Sequence, residues 1–139
     1  MGPLIDQVST IVAAVNGIQA VHQGSRQPLT TTPAALIEAV CESQPWEREL
    51  GSQALRLELR VSITILGALP ADSALVPAAR DQVMSLARAC RAALAADPTL
   101  DGHCLGSSVK RTDSSYVSIA GQDYAQPLTQ LEAFKEQAI

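Results

Sequence analysis

This sequence has few aromatic residues, no excess of positive charge and no long apolar runs. Only 3% of its 139 residues are aromatic, so the core must be built from Ala, Leu, Val and Ile. The formal net charge of −4 argues against an electrostatic grip on nucleic acid, which requires clustered Lys and Arg to replace counterions. No apolar run approaches the roughly 20 residues that span a bilayer. We therefore expect a soluble, intracellular protein without a membrane partner.

The sequence has only three cysteines, and they are far apart. Cys41, Cys90 and Cys104 are odd in number and show no C-x-x-C pattern, whereas disulfide frameworks and zinc sites both need paired spacing. His103 precedes Cys104 directly, but adjacent strand residues point to opposite faces and do not converge on one ion. We expect a reducing compartment, no metal and no cofactor.

Catalytic motifs are also missing. His22 and His103 are separated by most of the chain, and no serine lies in a Gly-x-Ser-x-Gly pattern. Ser107 and Lys110 match Ser-x-x-Lys, but they lie in a Ser-rich, β-like stretch without the partner motifs. We interpret that match as chance. The sequence predicts no catalytic residue, and therefore a protein that is not an enzyme.

The most informative stretch is residues 55–65, LRLELRVSITI, with apolar residues at every odd position and polar or charged ones at every even position. Side chains of a strand alternate between faces, so the stretch predicts one long strand with an apolar and a polar face. The apolar face requires a helix layer over it. The polar face must be solvated or meet an equally polar partner.

Two amphipathic helices can supply that layer. The first begins at Pro3 and ends at Asn16 and Gly17, which tolerate the left-handed conformation that closes helices. The second is predicted to start after a cap at Asp72 or Ser73. It places an apolar residue every three or four positions and ends around Ala96, before Asp97 and Pro98.

The remaining segments are short or ambiguous. Residues 18–22 and 34–41 are predicted strands, residues 23–33 a loop, and residues 44–54 an exposed connection. The stretch 105–119 suggests a hairpin. After Pro127, the local pattern of LTQLEAFKEQAI favours a helix but does not settle the question. The whole chain, 1–139, is expected to be one domain of α/β (α+β) class, with two main helices on one face of a twisted, mixed or mostly antiparallel sheet of about four to five strands.

Five residues are candidates for a subunit interface. Arg56, Glu58 and Arg60 alternate in charge on the polar face. The simplest interpretation is that water solvates this face. The alternative is that these charges pair with opposite charges on a neighbouring strand or subunit, with each pair contributing about 0.2–1 kcal/mol. Trp46 and Arg48 lie in the predicted connection, where a tryptophan beside charges is sometimes an interface anchor. The alternative is a ring folded over the edge of the core.

The order of segments resembles the tail-terminator and tail-completion proteins of long-tailed bacteriophages. The resemblance is carried by IDQVSTIVAAVNGIQAV, LRLELRVSITIL, the helix leading into RAALAADPTLDGHCLGSSVKRTD, and YAQPLTQLEAFKEQ. It covers nearly the whole chain but is one of pattern rather than of a diagnostic motif. It implies a helix-covered sheet whose final segment is a strand, against the local helical pattern, although Glu132, Lys135 and Glu136 depart from the family's usual β-like composition.

The resemblance also implies a function. Copies would form a ring, commonly a hexamer, at the head-proximal end of the tail, offering a sheet edge, loops and the polar face to their neighbours. The ring would end tail-tube polymerisation, present a surface to the neck protein and let DNA pass through its lumen. The protein would reside in the virion after assembly in the host cytoplasm. Competing interpretations are another head–tail connector ring and a small monomeric α/β enzyme or binding module.

Overall fold

Two helices and an open seven-stranded sheet make up the part of the chain that the structure describes. The structure is a computed structural model that describes residues 2–23, 33–47, 53–102, 104, 106–113, 115–119 and 121–138, with the backbone alone at 2–3, 39–47, 53–58, 110–113 and 135–138. In chain order the elements are α1 (Gly2–Ala13), β1 (Ala20–Gln23), β2 (Ala34–Glu47), β3 (Gln53–Ala68), α2 (Val76–Ala95), β4 (Gly106–Asp113), β5 (Tyr116–Ile119), β6 (Gln122–Ala125) and β7 (Leu128–Ala138). The predicted α+β class is confirmed.

The sheet is mixed and centred on β3. Its main body has the order β1-β2-β3-β7-β4, and β6 and β5 extend it from the end of β3. β1 and β2 are parallel, whereas the other described pairs are antiparallel. The count exceeds the predicted four to five strands, and β6, which has only four residues, lies where no strand was predicted.

The long alternating strand is confirmed. β3 spans 16 residues, and its side chains at Leu59, Val61, Ile63 and Ile65 are at most 3% exposed. The residues between them face the other way: Arg60 is exposed, while the neighbouring Ser and Thr are half-buried. The period of two in the sequence is thus the period of burial in the strand.

Both helices cover the same face of the sheet, as predicted. One continuous core cluster joins the apolar face of β3 to buried residues of both helices, which are Leu4, Ile5, Val8 and Val12 of α1 and Val83, Ala87, Cys90 and Leu94 of α2. The turn after α1 is closed at Gly17, whose φ is +106°. A β-carbon there would lie 2.7 Å from Leu86 Cδ2, so the absence of a side chain also lets this turn approach α2.

The start of α2 differs from the prediction. Its N-cap residue is Leu75, with no side-chain cap hydrogen bond, and a proline stands in the first turn. The carboxylate of Asp72 instead accepts a hydrogen bond from the backbone N–H of Ala74, at 3.0 Å. Asp72 therefore shapes the turn that leads into the helix, and neither it nor Ser73 is the cap.

Part of the predicted connection 44–54 proves to be strand. Residues 44–47 belong to β2 and residues 53–54 to β3, so most of the stretch 44–54 extends the ladder between these strands. Residues 48–52 lie outside the described residues, as do residues 24–32 of the predicted 23–33 loop. Strand formation across Pro45 is allowed because, beyond Ile37, β2 has no described neighbour on its outer side, and proline is tolerated on edge strands.

The predicted hairpin over 105–119 is wrong. β4 pairs with the distant β7, and β5 pairs with β6 instead. The β5–β6 connection contains Gly121 at φ +80°, a conformation that glycine adopts without strain. β4 and β5 resembled the two strands of a hairpin because both are β-like and close in sequence. The local pattern does not encode which strand each of them pairs with.

The final segment is a strand. β7 is antiparallel to β3 from Leu128 to Ala138, as the family resemblance implied and the local pattern did not. Leu131 and Ala133 lie opposite Val61 and Leu59 and are buried in the same core. Burial against β3 thus overrides the helical propensity of Leu, Glu, Ala and Lys.

Candidate assembly surface

The face of the sheet opposite the helices, here called the far face, is largely polar along its central strands. Glu38 of β2, Ser62 of β3 and Gln130 of β7 occupy adjacent register positions, and both Glu38 and Gln130 are exposed. One step along, Arg60 lies between Val40 and Glu132. The helix layer leaves this face uncovered, so it is available for solvent or for a partner.

Charges of β3 meet opposite charges of β7 in register. Arg60 lies directly opposite Glu132, and the backbone register places Arg56 opposite Glu136. Opposite charges at facing positions of an antiparallel pair are favourable. Glu132 and Glu136 make the C-terminal segment look helical, and they lie at the positions of β7 that face the two arginines of β3.

This register gives a small, testable effect. We expect Arg60→Glu to lower the free energy of unfolding by about 1 kcal/mol, since it sets like charges at facing positions. Adding Glu132→Arg should recover most of the loss, and urea unfolding measures both changes. Arg88→Glu, an equal charge change at an exposed position of α2, is the control. A double variant no more stable than Arg60→Glu would contradict the pairing, and an oligomer unchanged by Arg60→Glu would remove Arg60 from any subunit interface.

The five sequence candidates are described only in part. Arg56, Glu58 and Arg60 lie on the central strand β3, and only Arg60 has a described side chain, which is exposed. Trp46 lies in β2 opposite Ala54, with its side chain outside the described residues. Arg48 lies wholly outside them. Their role as an interface stays a prediction.

One end of the far face is apolar, which the sequence analysis missed. Leu36, Leu66 and Tyr124 are at most 8% exposed there, and Val117 and Ile119 pack against them. The signal was present in the sequence: Ile65 and Leu66 are consecutive apolar residues, and so are residues 34–37. Such runs indicate a strand that is buried on both faces.

A shallow cleft lies between the start of α2 and β5. Its volume is about 390 Å³, and it is lined by Leu69, Pro70, Val76, Tyr116, Val117, Ser118 and Asp123. Arg80 donates a 3.5 Å hydrogen bond to the Tyr116 hydroxyl beside it, and that ring is 58% exposed. Asp123 is the one carboxylate among these lining residues, so the cleft offers no acid–base pair of the kind that hydrolytic chemistry uses.

The described residues contain no group of three or more His, Cys, Asp or Glu that could hold a metal ion. Arg80 Nε and Asp81 Oδ1 form an ion pair at 3.8 Å between exposed side chains, where such pairs contribute little. His22 is half-buried on β1.

Within the described part of the chain, no helix is long and apolar enough to cross a membrane.

Two cysteines are buried and free. Cys90 lies on the buried face of α2, in the core, and Cys104 is 7% exposed. Burial raises the pKa of the Cys90 thiol to about 11 and also raises the pKa of Cys104. A thiol with a raised pKa is protonated near neutral pH and a poor nucleophile.

Alkylation tests the burial of Cys90. We expect iodoacetamide at pH 8 to leave Cys90 unmodified in the native protein and to modify it in denaturant, as read by mass spectrometry of peptides. Because the pKa is higher folded than unfolded, its contribution to stability is complete below pH 9 and declines as the pH rises from 9 towards 11. Labelling of native Cys90 as fast as in denaturant would contradict this placement.

Four strands have a side without a described neighbour: β1 and β5, which have only four residues each, and two longer ones, β4 and the part of β2 beyond Ile37. β1 pairs with β2 only from Ala34 to Ile37, and no described strand pairs with the outer side of β2 from Glu38 to Glu47. At the opposite side of the sheet, β4 pairs with β7 and has no second neighbour among the described strands. Unpaired strand edges present rows of backbone N–H and C=O groups that can join another strand.

Comparison with known proteins adds little to this description. No protein-family model matches the chain, and no curated protein matches it. Among solved structures, a chain from a virion of a native gene transfer agent particle is 10% identical, over 94% of this chain and 91% of that chain, with a TM-score of 0.35. A likeness this distant carries no argument about function.

Proposed function

We propose that this chain is a structural virion protein that forms a ring at the head-proximal end of a phage tail. The ring ends polymerisation of the tail tube and provides the attachment surface for the neck. Its partners are other copies of the chain, in a hexamer of closed cyclic symmetry, the tail-tube protein and a neck or connector protein. The mechanism is assembly without turnover, and the protein stays in the virion after assembly in the host cytoplasm.

The observation that carries the proposal is the final strand. The resemblance to tail terminators required a strand after Pro127, whereas the local pattern favoured a helix. β7 is that strand, paired with β3 along most of its length. Agreement at an element where the local pattern favoured a helix supports the resemblance more than agreement at elements that the pattern alone would give.

The distribution of covered and uncovered surfaces also favours assembly. The helices bury one face of the sheet, while Glu38, Arg60 and Gln130 are exposed on the far face and the long edges at β2 and β4 have no described neighbour. A domain of this kind has surfaces on opposite sides with which to meet two neighbours. A ring needs such a pair of surfaces on each copy, because each copy contacts one neighbour with each.

Acidity suits a channel for DNA. The net charge of −4 supplies no excess of Lys or Arg with which to displace the counterions of a duplex. DNA would then traverse the lumen without being held by it. This part of the proposal predicts no measurable affinity for duplex DNA at physiological salt.

Particles that lack the chain test the function. We expect a deletion of its gene from the parent particle to give unattached heads and tails of uncontrolled length under the electron microscope, because nothing stops the tube. Supplying the gene in trans is the control and should restore tails of uniform length. Tails of normal length that fail to join heads would indicate the alternative, a connector ring. Normal particles would overturn both.

A further inference from the structure

The two longer edges without a described neighbour, β4 and β2 beyond Ile37, differ in charge. The outer stretch of β2, from Glu38 to Glu47, contains three glutamates and no Lys or Arg. The strand at the other edge, β4, contains Lys110 and Arg111 against a single carboxylate, Asp113. One edge is thus acidic and the other basic, within a chain that is acidic as a whole.

The two edges also run in opposite directions. β2 is antiparallel to β3, β3 to β7, and β7 to β4, so β4 runs opposite to β2. Rotation about an axis along the strands leaves strand directions unchanged. If copies are arranged around such an axis, the β2 edge of one copy meets the β4 edge of the next in antiparallel orientation, which is the more stable pairing.

We propose that the β2 edge of one copy pairs with the β4 edge of the next, so that the sheets of neighbouring subunits join around the ring. This rests on the proposed function and specifies the contact that forms its ring. Pairing of β2 with β2, or of β4 with β4, sets like charges side by side and is disfavoured. The charges therefore select a head-to-tail contact, which generates rings, over a two-fold dimer.

Features of both strands restrict pairing with other partners. The register of β4 shifts between Val109 and Arg111, a bulge that bends the edge, and Pro45 removes one N–H from β2. Bulges and prolines keep edge strands from pairing indiscriminately. The contact is consequently made of short backbone segments, and its specificity comes from the opposed charges.

Charge reversal tests the contact. The variants are Glu42→Lys on β2 and Arg111→Glu on β4, with Arg88→Glu on the exposed side of α2 as control. Light scattering after gel filtration should give a closed oligomer for the wild type and for the control. Each edge variant alone should run as a single chain at concentrations where the wild type is fully assembled. An equimolar mixture of the two should reassemble, because every contact in an alternating ring is again between opposite charges.

A second measurement does not depend on the variants folding. Hydrogen exchange of the wild type, below and above the concentration at which it assembles, should show new protection in peptides covering residues 38–47 and 106–113. A peptide from α2 should not change. Retention of the oligomer in both edge variants, or absence of new protection at both edges, would overturn the edge contact.

The outcomes separate this contact from the function. An oligomer that survives both reversals leaves the ring in place and removes these edges as its interface. A wild type that stays a single chain at every concentration overturns edge pairing as a means of self-assembly, and the function is then judged by the tails of the deletion particles alone.

Discussion

We expect Ile63→Ala to lower the free energy of unfolding by about 2–5 kcal/mol, the range for truncating a fully buried isoleucine. Ile63 is 0% exposed and lies at the centre of β3, opposite Ile37 of β2 and Thr129 of β7. The helix layer packs over it in the main core. Truncation removes favourable transfer from water and leaves a cavity that the two neighbouring strands and the helix layer cannot close.

Denaturant unfolding measures this change, and two variants grade it. Ile63→Val should cost about 0.5–1.5 kcal/mol. Ser62→Ala changes the next residue of the same strand, which faces the other side and is half-buried, and should fall within about 0.5 kcal/mol of the wild type. Equal losses for Ile63→Ala and Ser62→Ala would contradict the assignment of the two faces.

The second large effect is expected at Gly67. A β-carbon at this position would lie 2.2 Å from Val83 Cγ2 and 3.3 Å from its Cβ and Cγ1, so β3 and α2 meet here without room for a methyl group. Val83 is itself buried, at 4% exposure, and cannot swing into solvent. We expect Gly67→Ala to cost about 1–3 kcal/mol, as other insertions into packed cores do.

Two further variants isolate the cause. Gly106→Ala is the matched control, because a β-carbon at Gly106 meets no described atom within 4 Å; it should be neutral or slightly stabilising. The double variant Gly67→Ala with Val83→Ala should be more stable than the sum of the single changes predicts, since the second change makes room for the first. Additive losses would show that contact with Val83 is not the reason that Gly67 is needed.

The sequence predicts well those elements whose pattern is local and strong. The alternation around Ile63 defines β3 and both of its faces, and the apolar stripes define α1 and α2, because burial on one side leaves a period that can be read from the chain alone. The end of α2 at Ala95 follows from Asp97 and Pro98 just beyond it, whereas α1 ends at Ala13, before the predicted stop at Asn16 and Gly17.

Pairing between distant segments is what local reading misses. The β4–β7 ladder joins residues such as Val109 and Leu131, and nothing in the sequence near either one specifies the other. Glu132 makes the last segment look helical until Arg60 is known to lie opposite it. The same holds for Leu66 on the far face, whose burial depends on Tyr124.

The candidate interface was predicted only in part, for the same reason. The alternating charges at Arg56, Glu58 and Arg60 drew attention to β3, which is a central strand whose backbone is paired on both sides. The longer edges that have no described neighbour belong to β2 and β4. Their positions follow from the order of strands, and no local pattern reports that order.

The central claim is that this chain stops a growing tail tube. Its most direct test is to polymerise the tube protein of the parent particle with increasing amounts of the purified chain and measure tube lengths by electron microscopy. If the chain is a terminator, mean length falls as its concentration rises, and a ring of density appears at one end of each tube. Tubes of unchanged length with bare ends, equal to those formed with an unrelated acidic protein of similar size, would contradict the claim.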